Sequence, residues 1–304
     1  MVNIGVSKKL YPFEGTYLPL VHKAKMHYLD EGTGPTLLAL HGNPTWSFYY
    51  RNLVGSMRNQ YRVVVPDHIG CGLSDKPKDK AYSYRLEQRV EDVEELVKHL
   101  GLKDITLVLH DWGGMIGLSF ACRNPELVKR IILMNTAGFA LPDTKEFPIA
   151  LTLSRTPLLG DILIRGFNAF ALSASWIGTK YKRMNPTLRR AYRAPYANWT
   201  QRRAVHRFVQ DIPLGPKDPS WAMVHYTDTH LDILKDKPMQ IIWGEKDFIF
   251  DRNFLNEWRR RMPNAEIHSY PDAGHYILED LGDEAIDLMK DFLQRHPLET
   301  KVAH

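Results

Sequence analysis

Apolar residues fall along this chain in two alternating rhythms. Residues 25–29, 36–40 and 61–66 are short runs rich in β-formers and are expected to be strands. Leu86, Val90, Val93, Val97 and Leu100 recur at helical spacing and mark one buried helix face. Residues 105–109 carry almost no polar side chain, as a strand covered on both faces of a parallel sheet requires. Residues 130–134 and 239–243 repeat that pattern, and a further strand is expected near 266–270. Strands alternating with helices predict an α/β protein with a mostly parallel sheet flanked by helices.

Between residues 141 and 229 the β rhythm stops. Helical stretches are expected over 158–176, 186–194 and 199–209, with frequent aromatics and prolines. The simplest arrangement is a helical cap, residues 141–229, inserted between two core strands. Residues 1–140 and 230–304 then form the core, closed by a helix over about 284–293. Such a cap would cover the carboxyl edge of the sheet, where open α/β sheets bind ligands.

Composition narrows the function classes. A chain of 304 residues, 44% of them hydrophobic, can bury one large core with a lid, but is not clearly two independent domains. The net charge of +5 comes from mixed acidic and basic residues, except in a stretch over 183–207. That stretch reads as a solvated helix face whose basic side chains lay their stems on apolar surface, with a partner-docking surface as the other reading. No nucleic-acid partner is expected. The two cysteines, Cys71 and Cys122, make no disulfide framework and read as plain thiols. No secretory pattern and no apolar run of membrane-spanning length stand out, so a cytoplasmic protein is expected. No cofactor or metal is expected.

The chemistry concentrates at the strand ends. Val108-Leu109-His110-Asp111-Trp112-Gly113-Gly114 ends a buried strand and opens a helix. This is where an α/β hydrolase places its nucleophile elbow, but Asp111 stands where a serine would, and Leu109 where the first glycine of that motif would. A carboxylate is already ionised, so Asp111 can attack an electrophilic carbon without a base to activate it. Its other reading is a simple helix cap. Asn43, in His41-Gly42-Asn43-Pro44, and Trp112 occupy the two oxyanion positions, and their amide and indole N–H groups could hold a departing anion. His275, late in the chain after Ala273-Gly274, is the candidate base. Asp247, after the strand ending at Trp243, is the acid that would orient it, with Glu245 and Asp251 as local alternatives. Asn135, a neutral amide at the other position where this fold can place the acid, favours Asp247.

These motifs, together with Asp67 to Pro77 (DHIGCGLSDKP) and Ala273-Gly274-His275-Tyr276, resemble the haloalkane dehalogenases, in particular the subfamily with an Asp–His–Asp triad and an Asn–Trp pair. The cap motifs Phe167-Asn168-Ala169-Phe170, Ala174-Ser175-Trp176, Ala194-Pro195-Tyr196 and Gln210-Asp211-Ile212-Pro213 look like the β-lactone decarboxylases of bacterial long-chain olefin biosynthesis. The resemblance implies the α/β-hydrolase fold and a hydrophobic small-molecule substrate. It implies that Asp111 opens a strained lactone, and that CO₂ loss then gives a cis-alkene. The attack could fall on the ring carbon bearing oxygen or on the carbonyl carbon. In a dehalogenase, Asp111 would displace halide and His275 would activate water on the ester. The leaving group held by Asn43 and Trp112 is then a carboxylate or a halide. The relatives also imply a homo-oligomer or an assembly with other olefin-biosynthesis enzymes.

Four other readings compete, the first of them an ordinary serine esterase, which Asp111 in the nucleophile's place disfavours. An epoxide hydrolase would use two cap tyrosines, and Tyr192 and Tyr196 are available. A fluoroacetate dehalogenase would carry arginine where Trp112 stands. A non-catalytic binding module would be expected to have lost at least one of Asp111, Asp247, His275, Asn43 and Trp112.

Overall fold

A computed structural model describes residues 4–298 of the chain; residues 1–3 and 299–304, at the outer ends of the expected core, lie outside the described residues. The strands are β1 (Thr16–Pro19), β2 (Lys25–Glu31), β3 (Thr36–Leu40), β4 (Arg62–Pro66), β5 (Ile105–His110), β6 (Val128–Met134), β7 (Met239–Gly244) and β8 (Glu266–Tyr270). They form one sheet in the order β1-β2-β4-β3-β5-β6-β7-β8. β1 and β2, and β2 and β4, pair antiparallel. Every pairing from β4 to β8 is parallel. The expected α/β architecture is therefore present. β1 is the strand that the hydrophobic pattern does not reveal: only one of its four residues is buried, so it shows no usable alternation.

Period-two alternation sorts the central strands onto two cores. Leu38 and Leu40 of β3, Leu107 and Leu109 of β5, and Leu133 of β6 pack on one face. Leu37 and Ala39, Val108, and Ile132 and Met134 pack on the other. The helices α1 (Arg51–Met57) and α2 (Leu86–Leu100) follow β3 and β4, and α3 (Trp112–Arg123) follows β5. α2 ends at Gly101, whose φ of 61° gives the left-handed C-terminal turn that glycine adopts without a Cβ penalty.

Leu40, Leu109, Leu133 and Ile241 stand in one row across four parallel strands. The strand ends are therefore level, and the segments bearing Asn43, Asp111, Asn135 and Asp247 all leave the sheet at the same edge.

Between β6 and β7 lie α4 (Ile149–Arg155), α5 (Pro157–Gly160), a π-helical turn (Asp161–Gly166), α6 (Ala169–Ile177), α7 (Pro186–Arg193), α8 (Arg203–Gln210) and α9 (Trp221–His230). The expected helix over 158–176 is broken. The π-helical turn ends at Gly166, and Asn168 takes a φ of 55°, a left-handed conformation that asparagine tolerates better than most residues. After β7 come α10 (Arg252–Arg261), α11 (Ile277–Leu281) and α12 (Asp283–Arg295). No helix among the described residues is long and apolar enough to cross a membrane.

Candidate active site

Asp111 sits at the turn between β5 and α3 with φ 52° and ψ −129°, a conformation a non-glycine residue holds only when its surroundings impose it. Three contacts do so. The Asp111 N–H donates to the Asn135 carbonyl at 3.2 Å, the Gly114 N–H donates to the Asp111 carbonyl at 2.9 Å, and the Thr136 hydroxyl donates to that same carbonyl at 2.5 Å. Small residues make room for the turn. A Cβ on Gly113 would lie 1.9 Å from the Leu40 carbonyl oxygen, and one on Gly114 1.7 Å from the Thr136 hydroxyl.

The two carboxylate oxygens of Asp111 have different surroundings. Oδ1 accepts the Asn43 backbone N–H at 2.6 Å, and the Trp112 N–H lies near enough to favour the charged carboxylate. Gly42 permits this approach, since a Cβ there would lie 1.9 Å from Oδ1. Oδ2 lies 3.6 Å from Nε2 of His275. Burial pushes the Asp111 carboxyl above the usual aspartate range, against the opposing pull of His275 and the two backbone N–H groups.

His275 is held from behind. Its Nδ1 lies 2.7 Å from Asp247 Oδ2. Burial opposes charging of the imidazole, but the Asp247 charge and hydrogen bond, helped by Asp111, raise it above its ordinary value. The Phe250 ring lies nearly parallel to the imidazole, with centroids 5.9 Å apart and planes inclined by 16°. Asp247 is fixed in turn: Asn135 donates to its Oδ2 at 3.0 Å and the Ile249 N–H to its Oδ1 at 2.8 Å. The sequence motifs mark Asn135 only as a missing acid. Its side chain is in fact a clamp, also bonded to the Gly244 carbonyl and N–H at 2.9 Å each. The local alternatives serve elsewhere. Glu245 pairs with Arg252 at 2.5 Å, while Asp251 caps α10 and pairs with Lys145 at 2.6 Å.

Asp111, Asn43 and Trp112 line one cavity of about 880 Å³, its open mouth included. Its other walls are almost wholly apolar, with Leu151 and Phe170 from the inserted helices, Phe139 after β6, and Ile249 and Phe250 after β7; Lys145 is the exception. The Trp112 indole N–H makes no hydrogen bond with any described residue. The Asn43 amide donates one hydrogen to the Val205 carbonyl at 3.1 Å, and its Oδ1 is buried without a partner. The amide thus reaches the cavity already tied to α8, which the sequence motif does not show.

Tyr192 and Tyr196 turn away from the cavity. The Tyr192 hydroxyl donates to Glu279 at 2.5 Å and the Tyr196 hydroxyl to the Thr45 carbonyl at 3.0 Å, both in the protein interior. The pair that an epoxide hydrolase needs is therefore not at Asp111. Cys71 and Cys122 are buried free thiols, and no group of three potential metal ligands occurs among the described residues.

The chain matches a family model for the alpha/beta hydrolase fold over residues 35–280. It is similar to the cis-3-alkyl-4-alkyloxetan-2-one decarboxylase of Shewanella oneidensis, at 49% identity over 93% of this chain and 89% of the relative. The enzyme of the same name from Xanthomonas campestris pv. campestris is 44% identical over 95% of this chain and 98% of its own length. Haloalkane dehalogenase 2 of Mycobacterium bovis is more distant, 31% identical over 93% and 96% of the two chains. Among solved structures, the haloalkane dehalogenase DatA from Agrobacterium tumefaciens C58 superposes with a TM-score of 0.83 at 24% identity, over 93% of this chain and 97% of that one, a likeness of fold.

Proposed function

On the premise that this chain belongs to the α/β-hydrolase family, in the branch of the cis-3-alkyl-4-alkyloxetan-2-one decarboxylases and haloalkane dehalogenases, we propose that it converts a cis-β-lactone with long alkyl chains into a cis-alkene and CO₂. It is a cytoplasmic enzyme in this reading. Residues 141–229 act as the cap and residues 1–140 and 230–304 as the core. The apolar cavity walls suit alkyl chains.

The observation that carries the mechanism is the division of labour on Asp111. In an acyl transfer the two oxyanion N–H groups must receive the substrate carbonyl oxygen as it becomes an anion. Here the Asn43 N–H already bonds the nucleophile itself, at 2.6 Å. That favours attack by Oδ2 on the saturated ring carbon bearing oxygen, where no tetrahedral oxyanion forms. The new bond joins Asp111 to that carbon, the ring C–O bond breaks, and the substrate carboxylate swings free. In this reading the Trp112 indole N–H, which bonds no described residue, and the Asn43 amide receive it. The C–C bond to this carboxylate then breaks, its electron pair forms the alkene, and the Asp111 carboxylate leaves. Inversion followed by anti elimination carries a cis-lactone to a cis-alkene, and no water is consumed. An imidazolium at His275, held by Asp247, favours the return of negative charge to Asp111.

A second reading, haloalkane hydrolysis, rests on the free Trp112 indole N–H beside the nucleophile, which suits a halide equally well. A parallel assay separates the two. Offered a long-chain dialkyl cis-β-lactone and 1-bromobutane, the enzyme is expected to form alkene from the lactone. Bromide release with the lactone untouched would establish the second reading instead.

A further inference from the structure

Residues 162–210 contain ten lysines and arginines and not one aspartate or glutamate. Much of that charge is gathered on one face. Lys180, Lys182 and Arg183, in the segment joining α6 to α7, and Arg190 of α7 are exposed. None of the four forms an ion pair with a described residue. The Arg189 guanidinium lies 3.6 Å from the centre of the Trp176 ring, which ties the two helices together at the surface.

Large apolar groups share the face. Trp176 is 58% exposed and Tyr181 67%. Side chains of that size left in water mark an interaction surface. The segment that carries Tyr181 is anchored on the core. The backbone N–H groups of Lys180, Tyr181 and Lys182 all donate to the buried Asp280 carboxylate, at 2.9–3.1 Å. With the backbone turned inward onto Asp280, the side chains of this segment are presented outward.

We propose that this face, built from α6, α7 and the segment between them, docks on an anionic lipid surface. Aromatic rings with a polar edge settle at the level of the headgroups, and cations beside them meet the phosphates. The arrangement suits lipid better than nucleic acid, because Arg189 already covers a face of the exposed indole that a base would need for stacking. The choice of lipid rests in part on the proposed substrate, since a dialkyl lactone partitions into bilayers. The clamp also leads to the active site: Asp280 accepts the Gly274 N–H at 2.7 Å, one residue before His275.

The test is flotation of the full chain with vesicles containing phosphatidylglycerol, and with vesicles of phosphatidylcholine alone. Binding is expected to the first and not the second, and to weaken as salt is added. The variant Lys182→Glu/Arg183→Glu/Arg190→Glu should bind phosphatidylglycerol roughly 100-fold more weakly, and Trp176→Ser/Tyr181→Ser should lose affinity at every salt concentration. Asp111→Asn should bind as the unaltered enzyme does, so docking is read independently of the chemistry. The charge-reversed variant should keep its turnover on a short-chain, water-soluble substrate, which shows that it is folded. No flotation with anionic vesicles, equal flotation with both kinds, or unchanged binding by the charge-reversed variant would each overturn the proposal. Flotation as expected, with lactone turnover absent, would overturn only the substrate reading.

Discussion

Oδ2 of Asp111 and Nε2 of His275 stand 3.6 Å apart, close enough for charge to be shared and too far for a settled hydrogen bond. In the proposed reaction this gap leaves Oδ2 unencumbered for attack. It also gives His275 two uses. As a neutral base it could activate water on an ester; as an imidazolium it could stabilise the departing Asp111 carboxylate.

These uses predict different pH profiles. His275 is raised above its ordinary value, so the neutral form is populated only above that raised pKa and is lost as pH falls through it. Multiple turnover on an alkyl halide needs the neutral form and should fall on the same acid limb. Alkene formation uses the imidazolium and should persist at lower pH. It should end only as Asp111 protonates, at a pH above the usual aspartate range because that carboxyl is also raised. Steady-state rates for both substrates across pH check this; coincident acid limbs would contradict it.

Asn135 should act on the reaction through Asp247. Asn135→Ala removes the 3.0 Å donor from Asp247 and both bonds to Gly244. The expected stability loss is about 1–3 kcal/mol. A lowered kcat, up to about 100-fold if His275 drifts from its position, is expected with little change in KM. Denaturant unfolding and kinetics measure the two separately. A stability loss with unaltered kcat would reduce Asn135 to a structural role.

The pair of Arg51 and Glu279 should lock two core helices together, with Tyr192 of α7 tied to it. The two lie 2.5 Å apart, both side chains are 7% exposed, and Tyr192 of α7 donates to the same carboxylate. Glu279→Gln leaves a buried guanidinium without its counter-charge and should cost about 3–5 kcal/mol of unfolding free energy. A shift of less than about 1 kcal/mol, the range of exposed pairs, would show that the pair is dispensable.

The strands that carry the site were readable because their buried faces leave an unmistakable apolar run, as in Ile105–His110. Asp111 and Asp247 stand out because each follows such a strand; His275 follows β8, whose residues are all only partly buried, and stands out by its place in the chain order and the small residues before it. What could not be read depends on contacts distant in sequence. Asn135 becomes a clamp only because β7 lies beside β6 and brings Gly244 and Asp247 against it. Phe250 reaches His275 from a loop with no periodic signal. Tyr192 looked available for catalysis, and only the position of Glu279, far along the chain, shows that its hydroxyl is engaged elsewhere. The break near Asn168 escaped notice because apolar spacing continues on both sides of it.

In the proposed reaction the Asp111 carboxylate forms a covalent bond to the lactone, and elimination breaks it. Rapid acid quench during the first turnover, followed by mass spectrometry of the peptide containing Asp111, tests it directly. This peptide is expected to gain the mass of the intact lactone and to lose it as alkene appears. Alkene formation with that peptide unmodified throughout, sampled faster than turnover, would contradict it.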